Sequence, residues 1–437
     1  MSIPTPEKAK AKFETLCLHA GQTPDPVTLA RGVPVYRTSS YVFKDTEHAA
    51  NLFALRELGN IYTRLMNPTT DVLEQRMAAL DGGAAALALA SGTSAIFYAV
   101  INICRQGEEI VSASNLYGGT YTMFDNILPQ FGIKTRFVDP NDLAAFEAAI
   151  NDKTRLIFCE TIGNPVLDVV DLRALAEVAR AHHLPLVVDS TFTTPYLLRP
   201  IEHGADIVVH SLTKWLGGHG TGIGGVVVDS GKFDWTDPKF ALYNEPDESY
   251  HGLRYAHDLG ALNPLAFILR MRLVPLRNLG ACISPDNAWM FLQGIETLPL
   301  RMERHCENAM SVADYLQAHH LVQWVRYPGL VDDPTHAIAR QYLPKGYGGM
   351  VVFGILGGKE AGARFINALR LFSHLANVGD AKSLAIHPAT TTHSQLSEEQ
   401  MASGGITPEL VRLSIGLEHI DDIMADLDQA LVASQVE

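Results

Sequence analysis

The chain has 437 residues, 47% of them hydrophobic and 19% charged, the balance of a globular protein with room for two or three domains. Its formal net charge of −14 argues against nucleic acid or an anionic membrane as partner, since both are held by clustered lysine and arginine, and points to small molecules. Cys17, Cys104, Cys159, Cys282 and Cys306 are scattered without C-x-x-C or metal-ligand spacing, so reduced thiols in a cytoplasmic protein are expected and a metal site is not.

The first residues are polar and proline-rich with no apolar core, unlike a secretory signal. Up to Asn67 periodicity is weak and turn-formers are frequent, which predicts an extended arm over residues 1–68. Asn67-Pro68 reads as an N-cap and first helical position, followed by Val72, Leu73, Met77 and Leu80 on a buried side and by Glu74 in the first turns. Tyr62 and Arg64 stand just before that helix, where a guanidinium can grip a phosphate. Residues 82–104 carry no charge and are long enough to span a bilayer, but Ser91-Gly92-Thr93-Ser94 is the wrong chemistry for lipid. A strand at 87–90 breaking into a buried helix at 95–104 explains the missing charge better.

Short apolar strands then alternate with amphipathic helices. Strands are expected at 109–113, 134–138, 155–160, 185–189, 207–210 and 225–228, and helices at 121–128, 143–150 and 172–182. The pattern predicts an α/β fold with a mainly parallel sheet, in which an edge strand is free to run the other way. Ligands of such sheets collect beyond the carboxyl ends of the strands. Five polar turns fall there: Ser91-Gly92-Thr93, residues 115–120 with Tyr117 among glycines, residues 160–165 with Asn164-Pro165, residues 189–192, and Ser211-Leu212-Thr213-Lys214. Residues 220–225 match G-x-G-x-x-G but precede a strand instead of opening a helix, which sets a dinucleotide site aside. Residues 230–265 are aromatic and turn-rich without period, the mark of a functional or mobile segment. From Ser284-Pro285 one long helix is expected towards Leu316, leading into a second domain with strands at 350–356 and 411–415, a helix at 360–371 and a final helix ending near Val432. The domains would divide as 1–68, 69–282 and 283–437.

Lys214 and Asp189 give these turns a chemistry. A lysine amine forms a Schiff base with an aldehyde, and a carboxylate at a nearby strand end keeps a pyridine nitrogen protonated. Ser211 and Thr213 lie within reach of a phosphate, whose charge also favours backbone N–H groups at helix starts. Together they point to pyridoxal 5′-phosphate (PLP), with Tyr117 able to stack on its ring. Arg412, in the alternating run Arg412-Leu413-Ser414-Ile415-Gly416, suits an amino-acid carboxylate, the plainer alternative being a structural acid. His387 and His393 read as a turn, since no H-E-x-x-H or nearby cysteine accompanies them.

Taken together, Tyr62-Thr63-Arg64 with Asn67-Pro68-Thr69, Ser91-Gly92, Tyr117-Gly118-Gly119-Thr120, Asn164-Pro165, Val188-Asp189, Ser211 to Lys214, Ser383 with His387-Pro388-Ala389, and Arg412 to Gly416 resemble the Cys/Met-metabolism group of PLP enzymes over nearly the whole chain. The resemblance implies the PLP-dependent transferase fold of aspartate-aminotransferase type, with a mainly parallel large domain and a smaller α/β C-terminal domain. It implies Lys214, Tyr117 and Tyr62 as catalytic residues, Asp189 on the pyridine nitrogen, and Gly92, Thr93, Ser211 and Thr213 at the phosphate. Asn164, Ser383 and Arg412 would hold the substrate. Tyr62 and Arg64 would reach the phosphate from a neighbouring subunit, so at least a dimer is implied, and a dimer of dimers is common in the group. Thr93 stands where many relatives carry methionine, a change of little consequence if its backbone N–H does the binding. Gly379 to Ser383 leading into Thr391-Thr392-His393-Ser394, Gly217-Gly218-His219-Gly220 and the stretch 233–252 are similar to the branch that exchanges the acetate of O-acetylhomoserine for sulfide or a thiol. A γ-lyase and a cystathionine-forming synthase are the alternatives within the group; Gly119, where methionine γ-lyases tend to carry cysteine, weighs against one such lyase.

Overall fold

The computed structural model describes residues 11–391, 405 and 407–435. The Thr392-His393-Ser394 run, and with it the turn expected at His393, lies outside them.

Seven strands form the larger sheet: β1 (Ala85–Leu89), β2 (Glu109–Ala113), β3 (Lys134–Val138), β4 (Thr154–Glu160), β5 (Leu186–Asp189), β6 (Ile207–Ser211) and β7 (Gly225–Asp229). Their order is β1-β7-β6-β5-β4-β2-β3. The run from β6 to β3 is parallel, and its central strands are buried almost end to end, which is why they read as unbroken apolar runs. The reversed strand is β7, which pairs antiparallel with both β6 and β1. The expected exception therefore sits one place in from the edge. The glycine loop after Lys214 turns the chain straight back without a crossover helix, and a strand entered that way has to run against its predecessor.

Five strands, β8 (Val322–Arg326), β9 (Met350–Ile355), β10 (Ser373–His374), β11 (Leu384–Ile386) and β12 (Leu410–Ser414), form a second sheet in the order β10-β11-β12-β9-β8. It is antiparallel except between β10 and β11. Each sheet has its own hydrophobic cluster, the first centred on strands such as Val187, Val208 and Val227, the second on Val351, Phe353 and Val411.

The amino-terminal segment is less extended than its sequence suggests. It contains α1 (Phe13–His19) and α2 (Thr46–Phe53), each of two turns and too short for periodicity to register. Phe13, Leu16 and Cys17 of α1 are buried, and the Arg76 guanidinium donates to the carbonyl of Ala20 just beyond it. Next come α3 (Pro68–Asp81) and α4 (Gly92–Ile103). Asn67 caps α3 as expected, its Oδ1 accepting from Thr69 N. The single helix expected at 121–128 is a patchwork of an α turn, a π turn over Met123–Ile127 and a 3₁₀ turn entered at Pro129, which has no N–H to continue the ladder.

The long helix expected from Ser284 is two helices, α5 (Pro285–Glu296) and α6 (Leu298–Ala318). The break coincides with Pro299, tolerated only in a first turn. Residues 230–265 are a packed structure: Trp235, Phe240, Tyr243 and Tyr255 are buried, and the Trp235 ring stacks on Tyr243 and Phe267 with centroids 4.3 and 5.5 Å apart. No helix among the described residues is long and apolar enough to cross a membrane.

Candidate active site

The carboxyl ends of β4, β5 and β6 deliver Glu160, Asp189 and Ser211 to one edge of the sheet: Glu160 is paired with Asp189 across the ladder, and β6 runs on past Val209, the partner of Asp189, to Ser211. Beyond them opens a cleft of about 940 Å³, its open mouth included. Gly92, Thr93, Tyr117, Asn164, Asp189, Ser211, Thr213, Lys214 and Arg412 all line it, so nine of the residues expected at the site converge on one space. Arg412 comes from β12 of the second sheet, so the cleft lies between the two sheets.

At one end of the cleft α4 begins. Ser91 Oγ caps it by accepting from Ser94 N at 3.0 Å, while the N–H groups of Gly92 and Thr93 have no acceptor within the helix. A side chain at residue 92 would stand 2.7 Å from Ser211 Cβ, so only glycine lets the helix start and the Ser211 hydroxyl share this cradle. Thr213 Oγ1 is engaged with the backbone of Gly224, accepting from its N at 3.1 Å. Helix dipole, bare N–H groups and the serine hydroxyl together make an anion cradle of phosphate size.

Lys214 projects into the middle. Its Nζ donates to Asn377 Oδ1 at 2.5 Å, and burial, reinforced by repulsion from Arg412 and opposed by Asp189, lowers its pKa to about 8. Asp189 accepts from Thr191 N at 2.9 Å and has no ion-pair partner among the described residues, which leaves its carboxylate open to a cationic ring nitrogen. Burial raises the Asp189 pKa, against the hydrogen bonds from Thr191. Glu160 is raised as well, by burial and then by Asp189 beside it. Glu160 Oε1 accepts from Tyr117 N at 2.7 Å and holds the loop whose ring, 50% exposed, faces the cleft. Arg412 Nη1 donates to Asn164 Oδ1 at 3.0 Å, and no carboxylate of the described residues pairs with it. The structural-acid alternative is therefore not met, and burial lowers the Arg412 pKa to about 10.

Ser383 is where the arrangement departs from expectation. It is fully buried, its hydroxyl donating to Glu418 Oε2 at 2.9 Å and accepting from Gly416 N at 2.9 Å, and it does not line the cleft. It fastens the turn after Arg412, and from that part of the chain Ala376, Asn377 and Val378 line the cleft, Asn377 with the polar side chain. Tyr62 and Arg64 are also absent from the cleft of their own chain; both are exposed, Arg64 lying over the Tyr62 ring at 5.2 Å. Sequence reasoning missed Asn377 and the role of Glu160. It also missed the fully buried pair of Asp81 Oδ2 and His210 Nε2, 2.9 Å apart behind the cradle. His387 bonds to Thr390 Oγ1 and Pro408 O in a turn, and the described residues hold no cluster fit for a metal.

A phosphate cradle, an amine in mid-cleft and an open carboxylate beside it fit PLP at its phosphate, its aldehyde and its ring nitrogen, and with the two-sheet fold they define a PLP-dependent enzyme of transferase type. The chain belongs to the Cys/Met metabolism PLP-dependent enzyme family, which matches residues 14–432. It is 57% identical over 426 residues to an O-acetyl-L-homoserine sulfhydrylase of Leptospira meyeri, covering 96% of each chain. It is 53% identical over 425 residues to a homocysteine synthase of Schizosaccharomyces pombe, covering 96% of this chain and 98% of the other. Among solved structures it matches a putative O-acetylhomoserine (thiol)-lyase of Campylobacter jejuni subsp. jejuni with a TM-score of 0.93 and 41% identity, over 97% of this chain and all of the other; that crystal carries a pyridoxyl-lysine monophosphate.

Proposed function

We propose that the chain catalyses γ-replacement on O-acetyl-L-homoserine, exchanging acetate for sulfide to give L-homocysteine, or for a thiol such as methanethiol to give methionine. The observation that carries this reading is the charge inventory of the cleft. Two cations, Lys214 and Arg412, face two carboxyls, Asp189 and Glu160, between neutral walls that include Ile96, Ile162, Phe192 and Ile223. Lys214 is required by the cofactor and Arg412 by the substrate carboxylate, so among the described residues that line the cleft no cation is left for a second anion on the acyl group. An acetyl ester suits that balance. A succinyl or phospho ester would bring an unpaired charge beside Asp189. The names of the relatives agree with this choice.

Bound PLP supplies an electron-accepting ring that stabilises negative charge at the α-carbon of the amino acid. Lys214, with a pKa near working pH, takes the α-proton and later returns it, and Asn377 Oδ1 holds the amine in place. Arg412, steadied by Asn164, holds the carboxylate. Tyr117 covers one face of the ring. A proton leaves Cβ and the Cγ–O bond breaks with its electron pair on acetate; hydrogen sulfide then adds, its sulfur to Cγ and one of its protons to Cβ. Tyr62 and Arg64 of a neighbouring copy complete the phosphate grip, in a dimer that pairs again into a homotetramer. Residues 1–68 form the arm between copies, 69–282 the PLP-binding domain and 283–437 the C-terminal domain. The charge and the reduced thiols favour a cytoplasmic setting.

The test is to incubate protein and PLP with O-acetylhomoserine, with and without sulfide, and to assay homocysteine and 2-oxobutyrate together. Sulfide-dependent homocysteine is expected, at a rate at least about tenfold above that from the O-succinyl ester. Oxobutyrate formed irrespective of sulfide would make the protein a lyase instead.

A further inference from the structure

Lys214 and Arg412 stand on different sheets, and a substrate bound to both depends on their separation. Behind them runs α6, which carries Arg301, His305 and Asn308 at the i, i+4, i+7 spacing of one helix face. All three are buried, at 6%, 0% and 4% exposure. We propose that these three side chains are positioning residues: a stripe roughly 10 Å long on one rigid helix that sets the distance between the lysine loop and the arginine strand.

At one end Arg301 Nη1 donates to Trp215 O at 2.7 Å, and Nη2 to Leu216 O at 3.3 Å and Gly294 O at 2.6 Å. Trp215 and Leu216 directly follow Lys214. Gly218, at φ +70°, lies so close that an added Cβ would meet Arg301 Nη1 at 2.0 Å. At the other end His305 Nδ1 donates to Ile415 O at 2.6 Å, and Asn308 Nδ2 to Gly416 O and Glu418 O, each at 3.0 Å. Ile415 and Gly416 close the strand that carries Arg412, and Ser383 locks the same turn through Gly416 and Glu418.

None of the three has a carboxylate partner among the described residues; the donors named here all end on backbone carbonyls. A buried guanidinium without a counter-ion is costly, offset here by the carbonyl end of α5 at Gly294. Apolar side chains would fill the same volume more cheaply, but they could not hold carbonyls of two separate loops at fixed positions.

The experiment separates the two ends. L-Norvaline, which has an amino-acid carboxylate and no leaving group, is titrated into the PLP-loaded protein and followed by the visible absorption of the cofactor. This readout stands even if O-acetylhomoserine proves not to be the substrate. His305→Phe keeps the ring and removes the donor; Asn308→Asp keeps the shape and removes it. Both are expected to weaken norvaline and raise KM by about tenfold, with kcat and the Kd of PLP for the apoprotein within about twofold of the parent. His305→Gln, which restores a donor, recovers most of that loss. Arg301→Lys, with fewer and differently aimed donors, lowers kcat by about tenfold and leaves norvaline binding within twofold. The proposal is overturned if norvaline affinity, kcat and the urea midpoint fall together in all variants, or if His305→Phe and Asn308→Asp leave norvaline affinity unchanged at a parental midpoint.

Discussion

Carboxyls pushed up by burial stand in pairs at both rims of the larger sheet, and only one pair belongs to a site. At the rim over the cleft stand Glu160 and Asp189; at the opposite rim stand Asp206, just before β6, and Asp229, at the end of β7. Burial raises all four, Asp206 to about 6 and Asp229 to about 7. On pKa alone the rims are alike. They differ in what surrounds the carboxyls: Asp206 Oδ2 accepts from Leu186 N and Asp229 Oδ1 from Gly231 N, and neither has an ion-pair partner or lines the cleft among the described residues, whereas Asp189 faces open space shared with Lys214 and Arg412. A perturbed carboxyl marks function only when something can come and bind it.

That contrast can be broken by substitution. Lys214→Ala removes the amine and is expected to lower homocysteine formation by at least about 10³-fold, with an unchanged urea midpoint. Asp189→Asn is expected to cost about 10²-fold or more in kcat and to weaken PLP, measured by titrating the apoprotein, because a neutral amide no longer holds a charged ring nitrogen. Arg412→Ala should raise KM for the amino acid about 10- to 100-fold while PLP affinity stays parental, the loss expected for one charge-assisted pair.

Asp229→Asn probes the other rim, and there the readout is stability. Its folded pKa is raised above the unfolded value, so folding favours the neutral acid. The stability this contributes is complete below about pH 4 and lost as pH rises through about 7. At pH 8 the folded chain holds an unpaired buried charge that asparagine avoids, so the variant is expected to melt higher than the parent at pH 8 and alike at pH 4. A gain of equal size at both values would count against the charge argument. Smallest of all, Ser383→Ala is expected to raise KM by about threefold with kcat unchanged, since its hydroxyl shares the fastening of the turn after Arg412 with His305 and Asn308 and does not face the substrate.

How much of this was legible beforehand follows from what each feature rests on. The parallel strands declared themselves because burial on both faces makes them unbroken apolar runs, and the polar turns after them fell at one edge by geometry. Lys214, Asp189 and Tyr117 were readable because each combines a reactive type with the end of a strand or the turn beyond it, and Arg412 because it stands alone as a cation in an alternating strand run. Asn377 was not, since it stands in an irregular stretch between β10 and β11 and reaches Lys214 only through the docking of the second sheet. Ser383 reads as a site residue because its neighbours in sequence resemble a site, while its hydroxyl turns inward to Glu418, a direction that sequence does not reveal. The single helix expected from Ser284 to Leu316 failed at Pro299, whose cost to helix continuity outweighed an apolar period that runs through it.

The place of β7 between β1 and β6 also fixes an order of assembly. β1 is the first strand made, yet Ala85 has to wait for Asp229 before its backbone is paired. Until then Ala85–Leu89, five apolar residues without a charge, presents an open edge to any other chain. The hairpin that closes it is the one that runs through Lys214 and the glycine loop. A growing chain that has passed Lys214 but not Asp229 has its lysine made and its first strand unprotected, and covering that strand completes the larger sheet and the lysine loop in one step.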